Sequence, residues 1–152
     1  MVDYLQLAKY DEPGKSFTDL QEINNKVAHL KHIVDKYKLP MIVISSLNRE
    51  TYKDNSKNKP TPINLSSFKG SGEIEYTADS VWALNYKKIY ESGDYNEIEE
   101  KKKPVRNLVL DILKSRNNST GEQIELDYEP VFNNFTDKPK ADTPILDKRN
   151  TY

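Results

Sequence analysis

The sequence predicts an α/β fold, with mainly parallel strands and a C-terminal antiparallel hairpin. A short, largely apolar stretch at residues 2–7 and a continuous apolar run at 41–46 flank one amphipathic stretch, which is the order of a right-handed βαβ unit. Two further apolar runs, at 107–113 and 123–128, are separated by Asn117-Asn-Ser-Thr-Gly121, a turn sequence that predicts a hairpin. The chain has 152 residues, enough for one domain with one core. With 36% hydrophobic and 31% charged residues, much of it must be solvated surface or loop. A net charge of −1 gives no global attraction to nucleic acid, so such binding needs a local basic patch. The absence of cysteine excludes disulfides and thiolate metal sites. No apolar run approaches the roughly 18 residues of a membrane span, and the first residues lack a signal pattern. The default expectation is a soluble, cytoplasmic protein with no membrane partner.

Taken in order, Val2 to Leu7 reads as the end of a buried strand with an acid at its tip. Residues 8–16 are polar, include Pro13 and Gly14, and read as a loop. Leu20, Ile23, Val27, Leu30, Val34 and Tyr37 then recur at steps of three and four. That is one apolar stripe on a helix of about twenty residues. Thr18 followed by Gln21 has the spacing of a capping box. Lys36 and Lys38 suit the negative end of the helix dipole, and Pro40 stops the helix. The run at 41–46 follows at once, as a parallel strand buried on both faces would. Residues 49–62 read as a loop, and 63–78 as short helical pieces around Lys69-Gly-Ser-Gly72. Residues 80–85 predict a third strand, and the hairpin supplies the fourth and fifth. Residues 86–104 are dense in Lys and Glu without apolar periodicity, and predict a long mobile loop. The domain is expected to span residues 1–136, with 137–152 a disordered tail.

In an open parallel sheet, ligands bind beyond the carboxyl ends of the strands. Asp3, Ser45 with Ser46, and Lys114 with Arg116 occupy such ends. An acid there can hold Mg²⁺ through water, or merely cap a loop. Ser45 and Ser46 can sense a phosphate, or satisfy neighbouring backbone. Lys114 and Arg116 alternate, so they project from one face and can clamp phosphate charge, or lie on a solvated edge. Lys69-Gly70-Ser71-Gly72 can cradle a phosphate or form an ordinary loop. His29 and His32 are close enough on the helix to share a metal, but lack a third ligand in sequence and read as a solvated face.

Five ordered blocks give these readings a common sense. VDYLQL, PMIVISSLNRE, FKGSGEIEYTAD, LDILKSRNNSTG and IELDYEPVFNNF resemble the later half of the motor domain of DnaB-type replicative helicases, in order and spacing. VISSLNRE resembles most the relatives carried by phages and mobile elements. The resemblance implies a partial RecA-like, P-loop NTPase fold. It implies that Asp3 is the Walker B acid that helps to hold Mg²⁺. Ser46 falls where the family usually has the Gln that senses the γ-phosphate. Lys69, Ser71 and Gly72 match the loop that holds single-stranded DNA, with Gly70 where the family usually has an acid. Lys114 and Arg116 match the pair that reaches the ATP site of the neighbouring subunit of a homo-hexamer, Arg116 being the arginine finger.

The family's P-loop and catalytic glutamate precede the Walker B strand, and neither occurs within these 152 residues. Pro13-Gly-Lys-Ser16 carries only the end of the P-loop pattern, and it follows the Asp strand rather than preceding it. The chain therefore resembles a half domain, whether from a truncated gene, a remnant or an expressed fragment. Alone it is expected neither to hydrolyse ATP nor to bind ATP or Mg²⁺ tightly, and to bind single-stranded DNA weakly. Two other readings stand beside this one. The chain could be a non-catalytic module that docks on an intact helicase subunit, or an unrelated βαβ binding domain.

Overall fold

The computed structural model describes residues 1–10, 13–48, 60–91, 95–117 and 120–138. Helix α1 (Asp19–Tyr37) begins at the expected capping box, where Thr18 and Gln21 exchange hydrogen bonds, and ends with Lys38 in the left-handed region. Its stripe buries Ile23 and Val27 against Leu5, with Leu30 and Ile74 packed around them. Residues 63–78 hold the expected short pieces, a 3₁₀ turn (Leu65–Ser67) and helix α2 (Ser71–Thr77).

The sheet corrects the expectation of mainly parallel strands. It has four strands, β1 (Ser80–Tyr86), β2 (Arg106–Ser115), β3 (Gln123–Glu129) and β4 (Asn134–Asp137), in that spatial order. Every pairing is antiparallel. The predicted β2–β3 hairpin is present, with Leu108 opposite Leu126 and Leu110 opposite Ile124. The predicted parallel strands at 2–7 and 41–46 are not strands here. They share one parallel bridge, Val2 with Val43, after which the chain turns into a 3₁₀ segment (Leu5–Leu7). Three backbone bonds carry this contact: Val2 N–H to Ile42 O (2.8 Å), Ile44 N–H to Val2 O (2.9 Å) and Leu5 N–H to Ile44 O (2.8 Å). A parallel strand depends on neighbours along its edges and cover on both faces. Ile42, Val43 and Ile44 have no such cover and remain exposed.

The charged stretch at 86–104 also differs from the predicted loop. It contains a 3₁₀ turn (Lys87–Ile89) and helix α3 (Glu97–Lys102), capped by the Asn96 side chain on the amides of Ile98 and Glu99. Glu97–Lys101 (2.5 Å), Glu99–Lys102 (2.8 Å) and Glu100–Lys103 (2.8 Å) brace it. The loop expected at 49–62 and the tail expected at 137–152 fall almost wholly outside the described residues.

One face of β1 and β2 packs inward through Val81, Ala83 and Val109. Among them lies a buried polar cluster. Tyr90 Oη donates to Asp111, and Asn85 Nδ2 donates to Asp111 (3.1 Å), while Asn85 Oδ1 accepts from the Ile63 amide (3.3 Å). Burial, reinforced by the bond to the Asp111 carboxylate, holds the Tyr90 phenol above its usual range. The opposite face of β1 leaves Trp82 and Leu84 exposed, and β1 is an edge strand. Among the described residues, no helix is long and apolar enough to cross a membrane.

Candidate functional site

The sequence-marked residues fall into two clusters joined by a short antiparallel bridge. The first lies where the segments around Val2 and Val43 come together. Asp3 is exposed, between two residues, Val2 and Leu5, that bond to residues 42–44. Ser45 and Ser46 follow on the partner segment. Gln6 ties the two together: its Nε2 donates to Ser45 Oγ (3.0 Å) and its Oε1 accepts from the Ser46 amide (3.0 Å). The Gln6 carbonyl accepts from Lys26 Nζ (3.2 Å), and Lys26 also pairs with Glu22 (2.6 Å). Lys26 is buried, and its ammonium is satisfied by these two oxygens.

Gln6 and Lys26 did not stand out in the sequence, although Lys26 carried a signal. It lies on the apolar stripe beside Ile23 and Val27, where a charge needs a buried partner. Mg²⁺ keeps several waters and is commonly held through one or two carboxylates plus nucleotide phosphates. Asp3 would be the residue to hold it, and the ion would neutralise phosphate charge. Among the described residues, no three or more His, Asp or Glu side chains gather as a metal site. His29 lies on the exposed side of α1, with Tyr10 edge-on at 6.2 Å.

The second cluster surrounds α2. The Ser46 carbonyl accepts from the Lys69 amide (3.3 Å), beside an antiparallel bridge between Leu47 and Phe68. The position expected to sense phosphate is thus one hydrogen bond from the loop expected to hold DNA. Gly70 caps α2 with φ +79°, and a Cβ built on it would lie 2.8 Å from Ile23 Cγ2 on α1. Only glycine suits both the backbone and the space, so an acid here needs a different turn. Lys69 is half-exposed, with Asp19 at 3.4 Å, and Gly72 is open to solvent. Ser71 is the first residue of the helix.

Lys114 and Arg116 do share a face, and both reach the other end of α2. Lys114 Nζ donates to the Glu75 carbonyl and lies 3.5 Å from the Tyr76 carbonyl. Arg116 Nη2 donates to the Tyr76 carbonyl (2.7 Å), and Nη1 pairs with Asp79 Oδ1 (2.9 Å). The Arg116 amide also donates to Asp79 O (3.0 Å), and Lys31 lies 3.8 Å from Asp79 Oδ2. Two cations therefore meet the negative end of a helix.

Comparison with known proteins places these clusters in a family. Residues 1–137 match the DnaB-like helicase C terminal domain. The chain belongs to this family. It is 32% identical over 139 residues to the "Probable replicative DNA helicase" of Trieres chinensis, covering 90% of this chain and 28% of that protein. It is 36% identical over 95 residues to the "Replicative DNA helicase DnaB" of Mycobacterium leprae (strain TN), covering 62% of this chain and 15% of that one. The chain thus spans under a third of the length of these replicative helicases. Family membership implies a RecA-like fold, although the strand pairings of this sheet are all antiparallel. Both clusters lie inside the matched range.

Proposed function

We propose that this chain is part of the ATP-driven motor of a DnaB-like replicative helicase, translocating on single-stranded DNA in the cytoplasm. The observation that supports it is the family match, which runs through residues 1–137 and so includes every site residue. In this reading Asp3 orients Mg²⁺ on a bound ATP, and Ser46 occupies the sensor position. Lys69, Ser71 and Gly72 contact the DNA backbone. Lys114 and Arg116 act on the nucleotide of the adjoining subunit of a hexamer, where a finger contributes on the order of 10³-fold or more to phosphoryl transfer. The polar VISSLNRE run, which resembles most the relatives carried by phages and mobile elements, supports that branch. The 152 residues alone, lacking the phosphate cradle, are expected not to turn over ATP.

A second reading is a non-catalytic module that docks on an intact helicase subunit. The apolar face of edge strand β1, with Trp82 and Leu84 exposed, favours it. One experiment addresses both. The chain is mixed with a related subunit that keeps its P-loop but carries Ala at its own finger, co-elution is scored, and ATPase is measured in the co-eluting fraction. The motor reading expects rescue by the wild-type chain and none by Arg116→Ala or Arg116→Lys, since Lys cannot make the bidentate contact. Equal rescue by wild type and Arg116→Ala removes the finger. Co-elution without rescue favours the docking module.

A further inference from the structure

Helix α2 has only seven residues, far below the roughly 12–15 at which a helix is even marginal in water. It persists because its surroundings hold it. Ile74 packs against the cluster of Leu5, Ile23 and Val27. Its N-cap, Gly70, makes no side-chain cap. The last carbonyls of a helix have no partner within it. Here the Ile74 carbonyl takes the Ala78 amide (3.1 Å), while those of Glu75 and Tyr76 take Lys114 and Arg116. Asp79, just beyond the helix, holds the other arm of the Arg116 guanidinium. The same two side chains therefore finish a helix whose first residues, Ser71 and Gly72, belong to the Lys69–Gly72 turn.

We propose that α2 links the Lys69–Gly72 turn to Lys114 and Arg116, with Asp79 as the positioning residue that holds Arg116 on the helix end. The link works by competition. The Nη atoms of Arg116 are engaged with Asp79 and Tyr76, so a phosphate group that captures this guanidinium takes it from the helix. The loss of this cationic cap loosens a helix too short to stand without its caps, and the loosening reaches the turn at its start. The consequence for motor action rests on reading Arg116 as a finger, whereas the link is a property of this chain alone.

Amide exchange and chemical shifts by NMR on the full 152-residue chain test it. In the double variant Lys114→Ala/Arg116→Ala, the Ala78 amide should exchange at least tenfold faster. The Lys69 amide, bonded to Ser46, should exchange several-fold faster, and the Gly70 and Gly72 signals should move. Amides in the middle of β2 and α1 should keep their rates within twofold. Asp79→Asn changes an exposed side chain that no core packing needs, and should give a smaller effect in the same direction at the same amides. Arg116→Lys, which keeps a donor for Tyr76, should fall between wild type and the double variant. Unchanged Ala78 exchange in Asp79→Asn and Lys114→Ala/Arg116→Ala would overturn the proposal. So would fast Ala78 exchange with Lys69, Gly70 and Gly72 unmoved, because the helix end would then be uncoupled from the turn. No nucleotide or partner subunit enters this measurement, so the link can fail while the finger stands, and the reverse.

Discussion

Replacing Gly70 by Ala isolates the closest approach between α1 and α2. Two costs add. Holding an L-residue in the left-handed region costs about 1–2 kcal/mol. The new Cβ would also lie 2.8 Å from Ile23 Cγ2, and Ile23 is buried and cannot swing away. Overpacking of this kind costs about 1–3 kcal/mol. Restricting the unfolded chain returns roughly 0.4–1 kcal/mol. The expected net loss is about 3 kcal/mol, a large share of the roughly 5–15 kcal/mol of a typical domain. Gly14→Ala is the internal control. Gly14 has φ +81° but nothing within 4 Å of an added Cβ, so it bears only the backbone cost. Urea denaturation of both variants gives the steric term as their difference, expected near 2 kcal/mol, or about 1 M or more in midpoint at a slope of about 1–2 kcal/mol/M. Combining Gly70→Ala with Ile23→Ala should be less than additive, since the second change removes the atom that the first one strikes. If Gly70→Ala and Gly14→Ala agree within about 0.5 kcal/mol, the contact with Ile23 does not constrain this turn.

Three further outcomes are expected. The Tyr90 phenol is raised in the folded state, so its contribution is fully present below the unfolded value near 10 and is lost as pH rises through the higher folded one. Denaturation at rising alkaline pH should therefore show a steeper loss in wild type than in Tyr90→Phe, and parallel curves would count against it. Thr18→Ala removes the capping box and should cost about 1 kcal/mol in a urea titration, and a value near zero would mean that packing alone sets the start of α1. Lys69 is the half-exposed cation of the turn proposed to hold DNA, so anisotropy with labelled single strands should show weak binding that fades with salt and with Lys69→Ala. Tight binding indifferent to either change would contradict that assignment.

The elements that the sequence revealed are those whose pattern is local. The α1 stripe, its Thr18 cap and the two runs of the β2–β3 hairpin each carry a local signal, and each element is present. The runs at 2–7 and 41–46 carry an equally clear apolar signal, but strand formation depends on ladder partners, and only Val2 and Val43 meet. Helix α3 was missed for the opposite reason. It has almost no apolar face, and its support lies in Glu–Lys spacing and the Asn96 cap, which can be read from sequence only if charges are searched at helical intervals. Strand β4 is four exposed residues and has no pattern to find. At the candidate site, the shared face of Lys114 and Arg116 followed from strand alternation. What they touch did not, because the carbonyls of Glu75 and Tyr76 are nearly forty residues away in the chain. Backbone acceptors leave no mark in side-chain identity.

The exposed side of β1 also equips the protein with an optical reporter. Trp82 is the one tryptophan of the chain and is 56% exposed, beside Leu84 on an edge strand. Its indole therefore emits from a largely aqueous setting, with no second indole to blur the signal. A chain that comes to lie along β1 will dry that ring and shift its emission to shorter wavelength, without any label. Unfolding exposes it only a little further, so the wavelength change on denaturation will be small. The same fluorophore thus responds strongly to assembly and weakly to melting, and the two events can be followed separately in one cuvette.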